Sequence, residues 1–141
     1  MTKEFINPNS QYSSGRAYSK GVKVDVGDSE MLFVSGQIPK DEKGEVVGIG
    51  DYTKQTEYVF EKLITILDEA GMALRDVVKV NIYVADMEEF EKVSSVRNTY
   101  LKDAKPASTA VEIKRIVTKG CDVEIDVIAI KKKGKKDVKG K

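Results

Sequence analysis

"VVKVNIYVA" (77–85), followed directly by "DMEE" (86–89), decides the fold. In the first stretch Val78, Val80, Ile82 and Val84 point one way while Lys79, Asn81 and Tyr83 point the other, the period of a half-buried strand. The second reads as a capping box, which predicts a helix through about Leu101. Upstream, Val59, Phe60, Leu63, Ile64, Ile66, Leu67 and Ala70 recur at helical spacing from Thr53 onward. Gly71 stands where a left-handed cap is needed. Before that helix, "VKVDVG" (22–27) and "MLFVSGQIP" (31–39) read as a hairpin closed by "GDS", and 40–51 reads as a loop. Downstream, "STAVEIKRIV" (108–117) and "VEIDVIAI" (123–130) read as a final hairpin around "TKGCD". Residues 7–20 are rich in turn formers and predict irregular structure.

The resulting order, ββαβαββ, predicts an α+β fold with two helices on one face of a mixed sheet. Residues 1–130 form one domain in this reading, and 131–141 form a basic, disordered tail. The face away from the helices would carry Asn81, Tyr83, Glu112, Glu124 and Asp126 beside Ile116, Ile128 and Ile130. Such a face is too polar for a dry core and too apolar to leave in water, so further copies of the chain are expected to cover it. Clefts between subunits are then the natural site.

Composition excludes a good deal. The 141 residues contain no histidine and one cysteine, Cys121. Ser-His-Asp and Cys-His chemistry, His-based zinc sites and thiolate cages are therefore ruled out. Acid–base work near neutral pH falls to a carboxylate, tyrosine, lysine or water. No cofactor motif emerges; "GIG" (48–50) lacks the glycine pattern and the preceding strand of a dinucleotide site. Residues 131–141 carry +6 of an overall +1, which leaves −5 on the rest. That acidic body, with no aromatic or arginine in the tail, argues against nucleic acid as a partner. A lone cysteine, no apolar run of membrane-spanning length and no signal-like segment in "MTKEFINPNS" lead to the expectation of a cytoplasmic protein.

"KPASTAVEI" (105–113) places small hydroxyls at the mouth of a strand. Together with "AYSKGV" (17–22), "SGQIP" (35–39), "KVNIYVADMEEF" (79–90) and "VEIDVIAI" (123–130), it resembles the RidA/YjgF family of enamine/imine deaminases, in register from about residue 4 to 131. The resemblance implies a chorismate-mutase-like subunit in a homotrimer, with three interfacial clefts and no cofactor. It also implies hydrolysis of 2-iminopropanoate- or 2-iminobutanoate-like compounds to 2-keto acids and ammonia, although some members are described as endoribonucleases or translation inhibitors. By matching position, Tyr18 would close the cleft, Ser35 and Gly36 would orient a carboxylate, and Glu124 would hold the attacking water.

Two positions depart from the family pattern. Ser108 stands where deaminating members carry the arginine that pairs with the substrate carboxylate, and Ser94 stands where an asparagine is usual. A hydroxyl cannot imitate a bidentate guanidinium. Arg97, Lys20 and Arg115 are the candidate replacements, with Arg115 also found in ordinary members. Two readings stay open for Ser108 and Thr109, turn chemistry after Pro106 or ligand contact. Glu124 is either a site carboxylate or half of an ion pair with Lys114. Cys121 reads as a spectator. The protein is accordingly expected to be an imine hydrolase, with two alternatives: a ligand-binding, regulatory trimer without that activity, or a protein with endoribonuclease- or translation-inhibitor-like activity.

Overall fold

A computed structural model describes residues 2–8 and 15–134. The expected mixed sheet is present, with two helices against one face and six strands in the order β1-β2-β3-β6-β4-β5. β2 (Gly21–Val26) and β3 (Ser29–Gln37) form the predicted hairpin, closed by a two-residue turn in which Gly27 takes φ 79°. β1 (Lys3–Ile6), which the sequence reading left out, pairs antiparallel with β2. Only Ile6 of its four residues is buried, so it lacks the alternation that marks a strand in sequence.

The helix α1 (Tyr52–Glu69) begins where the Asp51 side chain accepts from the Lys54 N–H at 3.0 Å, and Gly71 beyond its end takes φ 78°. Its Val59, Phe60, Leu63, Ile66 and Leu67 pack with Leu32, Val80, Ile82, Ile125 and Val127 in one buried core. β4 (Val77–Val84) leads into a single 3₁₀ turn capped by the Asp86 carboxylate, which accepts from Glu88 N–H at 3.0 Å, and then into α2 (Phe90–Tyr100). That helix buries only Val93 and Val96; the Tyr100 ring at its end stacks on Phe60, centroids 4.8 Å apart.

Four expectations are corrected. The final hairpin does not form. β5 (Ala107–Glu112) runs parallel to β4 at the sheet edge, and β6 (Val123–Lys132) inserts between β3 and β4, antiparallel to both. A helix separating two strands permits the parallel crossover, and apolar residues alternate along β6 well enough to claim a central place. Val78 does not face the core. A bulge between Val77 and Lys79 turns it outward, 45% exposed, while Val77 is buried. Glu112 and Ile116 leave the open face: Glu112 pairs in register with Val84 and accepts from Met87 N–H at 2.9 Å, and Ile116 lies buried outside any strand. Val111 and Thr109 take their place beside Tyr83 and Asn81. Residues 131 and 132, assigned to the tail from sequence, extend β6, and Lys133 pairs with Asp25 at 3.6 Å. Residues 135–141, the rest of the expected tail, lie outside the described residues.

Candidate functional site

A cavity of about 870 Å³ opens between the N-terminal segment, the ends of β3 and β6, α1 and the loop after β3. Tyr18, Ser35, Gly36 and Glu124 all line it. Its geometry starts from a bulge. Val34 pairs with Val127 and Gln37 with Ile125, so Ser35 and Gly36 together face the single residue Asp126. Glu124 folds its carboxylate against the bulge. A Cβ built on Gly36 would lie 1.9 Å from Glu124 Oε2, so the absence of a side chain at Gly36 is what makes room for the acid.

The bulge also anchors the N-terminal segment. Ser35 N–H donates to Lys20 O at 2.8 Å, Ser35 Oγ donates to Ser19 O at 2.7 Å, and Lys20 N–H donates to Asn7 Oδ1 at 2.8 Å. Tyr18, 56% exposed, is thereby held at the rim, where its hydroxyl accepts from Arg16 at 3.2 Å. With its one hydrogen given to Ser19, the Ser35 hydroxyl has only lone pairs to offer, so in this arrangement it positions the segment bearing Tyr18 and cannot donate to a carboxylate.

Burial first, and the charge of Asp126 second, push the Glu124 carboxyl above its usual range. Asp126 is itself held in place, accepting from Asn81 Nδ2 at 2.8 Å and from Tyr83 OH at 3.0 Å. Burial, then that hydrogen bond, raise the Tyr83 phenol. Among the described residues Glu124 has no lysine or arginine within ion-pair distance, so the pairing with Lys114 does not form. The combination is a half-buried carboxylate in a cavity, raised in pKa and adjacent to a fixed negative neighbour.

Sequence reading missed a half-buried cation of this wall. Lys62 lines the cavity, donates to Ile38 O at 2.8 Å and Lys40 O at 3.1 Å, and is brought down to about 8, by burial first and by Lys20 next. The signal was available: Gln55, Val59, Lys62 and Ile66 share one stripe of α1, and two polar residues on a core stripe ask for partners. Gln55, fully buried, meets that demand by bonding Gly48 O, Gly120 O and Asp122 N–H, which fixes the loop leading into β6. Cys121 in that loop is buried with its thiol pushed up by desolvation.

Ser94, Arg97, Ser108 and Thr109 do not line this cavity. They form a second cluster where α2 meets β5. Arg97 donates to Ser94 Oγ at 2.9 Å and Ser108 Oγ at 3.2 Å, while Thr109 Oγ1, on the other face of β5, accepts from Lys79 Nζ at 2.7 Å. Within one subunit the predicted site is thus split into two half-sites. No helix of the described residues is long and apolar enough to cross a membrane.

One mixed sheet backed by two helices, with a glycine bulge seating a carboxylate in a cavity, defines a class of small α+β subunit. Comparison places the chain within it. The family model described as endoribonuclease L-PSP matches residues 9–131. A RutC family protein of Pyrococcus abyssi is 41% identical over 93% of this chain and 99% of its own. The 3-aminoacrylate deaminase RutC of Acinetobacter baylyi is 32% identical over 80% of this chain and 86% of its own. Among solved structures, yeast Mmf1 superimposes with TM-score 0.80 at 29% identity, covering 93% of this chain and all of that one. The YjgF gene product of E. coli gives 0.75 at 28%, covering 92% and 99%. The chain belongs to the endoribonuclease L-PSP family, which is the RidA/YjgF family named by the sequence motifs.

Proposed function

We propose that this protein is a homotrimeric, cytoplasmic hydrolase of small 2-imino acids, 2-iminopropanoate and 2-iminobutanoate being the model substrates, and that it works without a cofactor. The observation that carries the reading is Glu124, raised in pKa and seated over Gly36 in a cavity large enough for a small acid and water. An enamine first tautomerises to its imine. Glu124 then takes a proton from water as the water oxygen bonds to the imine carbon, and returns it to nitrogen. Collapse of the carbinolamine passes its hydroxyl proton to nitrogen as the C–N bond breaks, which forms the carbonyl and releases ammonia with the 2-keto acid. Tyr18 closes the rim.

Trimer assembly is supported by the open sheet face. Phe5, Val22, Phe33 and Ile128 stand in register across β1, β2, β3 and β6, with Phe5 62% and Phe33 42% exposed in the single chain. Joining copies through this face offers the means to bring the cavity of one to the α2/β5 cluster of another. The acidic body gives RNA no comparable purchase.

Two measurements test the proposal. Sedimentation should give about three times the 15.6 kDa chain mass, and a single 15.6 kDa particle ends the interfacial reading. Keto-acid release from oxidase-generated 2-iminopropanoate should exceed the buffer rate. No acceleration, with keto-acid binding intact, would favour the ligand-binding trimer, the reading that Ser108 in place of arginine supports.

A further inference from the structure

We infer that Arg97 is the carboxylate anchor of this protein, a guanidinium carried by α2 and aimed by Ser94 and Ser108. The choice of a keto acid as ligand rests on the function proposed above. The anchor itself rests on how Arg97 is held.

Arg97 is half-buried, and all of its contacts are neutral. Nη2 donates to Ser94 Oγ at 2.9 Å, Nη1 to Ser108 Oγ at 3.2 Å and Nε to Asn98 Oδ1 at 3.1 Å, while Cζ lies 5.8 Å from the centre of the Phe90 ring. Among the described residues no carboxylate comes within 4.0 Å of it. Lys23, Lys92 and Lys133, by contrast, each reach an acid. A guanidinium has five N–H donors. Three are committed to fixing its direction, and two remain for an anion. Holding a charge partly out of water against uncharged oxygens leaves that charge uncompensated, so an incoming anion gains more there than at a free surface.

The chemistry of the gap selects a carboxylate. With one N–H left on each of Nη1 and Nη2, the guanidinium has two bonds to offer a single carboxylate. A phosphate dianion would need a second cation, and the lysine tied to β5, Lys79, is held by Thr109 on the opposite face of that strand. Ser108 and Ser94 are positioning residues in this arrangement: each spends an oxygen lone pair on the cation, which restrains a long side chain before the ligand arrives. This assigns the Ser108 hydroxyl at the mouth of β5 a purpose that neither turn chemistry nor direct ligand contact supplies.

The test is calorimetric titration of 2-oxobutanoate and its neutral amide, 2-oxobutanamide, into the wild-type protein and the Arg97→Met and Arg97→Lys variants, each first checked for unchanged melting and sedimentation. Arg97→Met should weaken oxobutanoate binding about ten- to a hundredfold and leave the amide unchanged. Arg97→Lys, a charge without a fork, should recover only part of the loss. Ser94→Ala with Ser108→Ala should cost a few-fold, again for the acid alone. Equal binding of the acid by wild type and Arg97→Met, equal losses for acid and amide, or no binding of the acid by wild type would each overturn the assignment. If Arg97→Met does not fold, Arg97→Lys binding the acid as tightly as wild type does so too. Arg97-dependent binding without imine hydrolysis would sink the hydrolase reading and leave the anchor standing. Full turnover in a variant that has lost Arg97 would do the reverse.

Discussion

The two half-sites are built by opposite means. Around Glu124 the backbone does most of the positioning: a bulge, a glycine with no room for a Cβ, and Ser35, whose N–H and hydroxyl donate to the carbonyls of Lys20 and Ser19. Around Arg97 the positioning is done by side chains, with two serines and an asparagine steering a guanidinium beside an exposed edge strand. Backbone-built geometry tolerates few substitutions and sits next to the buried core of β6. Side-chain geometry can be exchanged one residue at a time. The contrast suits the roles proposed above, an acid held in one fixed place and a cation held by side chains that can be exchanged singly.

The largest effect should come from breaking the acid itself. Glu124→Gln is expected to lower turnover about 10²–10⁴-fold, measured as keto-acid release. The same change should raise stability near neutral pH. A carboxyl with a raised folded-state pKa contributes most below its unfolded value, and that contribution is lost as pH rises through the folded one. Urea midpoints for the two proteins should therefore diverge above the ordinary carboxylate range, with the variant the more stable.

Gly36→Ala sharpens the comparison, since it touches only the backbone-built side. The displaced atom is the far end of a flexible side chain, so melting should hardly move, yet the carboxylate must shift. Turnover should fall about a hundredfold, the usual penalty for misplacing a reacting group by an ångström. Unchanged turnover would mean that the bulge is incidental.

A smaller effect concerns Lys62. Its folded-state pKa of about 8 lies below the ordinary 10.5, so between those values the unfolded chain binds the extra proton and stability should rise with pH. Lys62→Met should abolish the rise between pH 8 and 10. The raised Cys121 thiol, and above it the phenols of Tyr52 and Tyr100 that burial pushes up to about 12, oppose the trend in both proteins, so the difference between the two curves is the readout. A rise of equal size in both proteins would assign the cavity lysine an exposed, ordinary amine.

The smallest change belongs to the edge. Lys105 holds φ 47° immediately before Pro106, a left-handed conformation that an L side chain resists. Lys105→Gly should stabilise the protein by about 1 kcal/mol in chemical denaturation. The Arg97 cluster should survive that change, because its hydrogen bonds reach across from α2.

Legibility followed the range of the interactions. Alternation from Lys79 to Val84, the helical stripe from Val59 to Ala70 and the glycine after it were readable because neighbours within a turn or a strand dictate them, whereas the bulge at Val78 was not. Gly36 and Glu124 were found through motif resemblance, and no local pattern announces that one vacates space for the other. Lys62 was passed over although its place on a buried stripe was visible. Ser108 was recognised as a departure, but its bond to Arg97 joins a strand to a helix and leaves no trace in spacing.

By itself the sequence determined the kind of each main element, the α+β class and the absence of histidine chemistry, because side-chain period and residue inventory are properties of the chain alone. The tertiary structure alone decided that β6 would enter between β3 and β4, that β1 would add to the sheet, and that Arg97 would swing to two serines. Those outcomes depend on which distant surfaces bury one another and on which polar atoms then lie within bonding distance, and neither is written in any local stretch of residues.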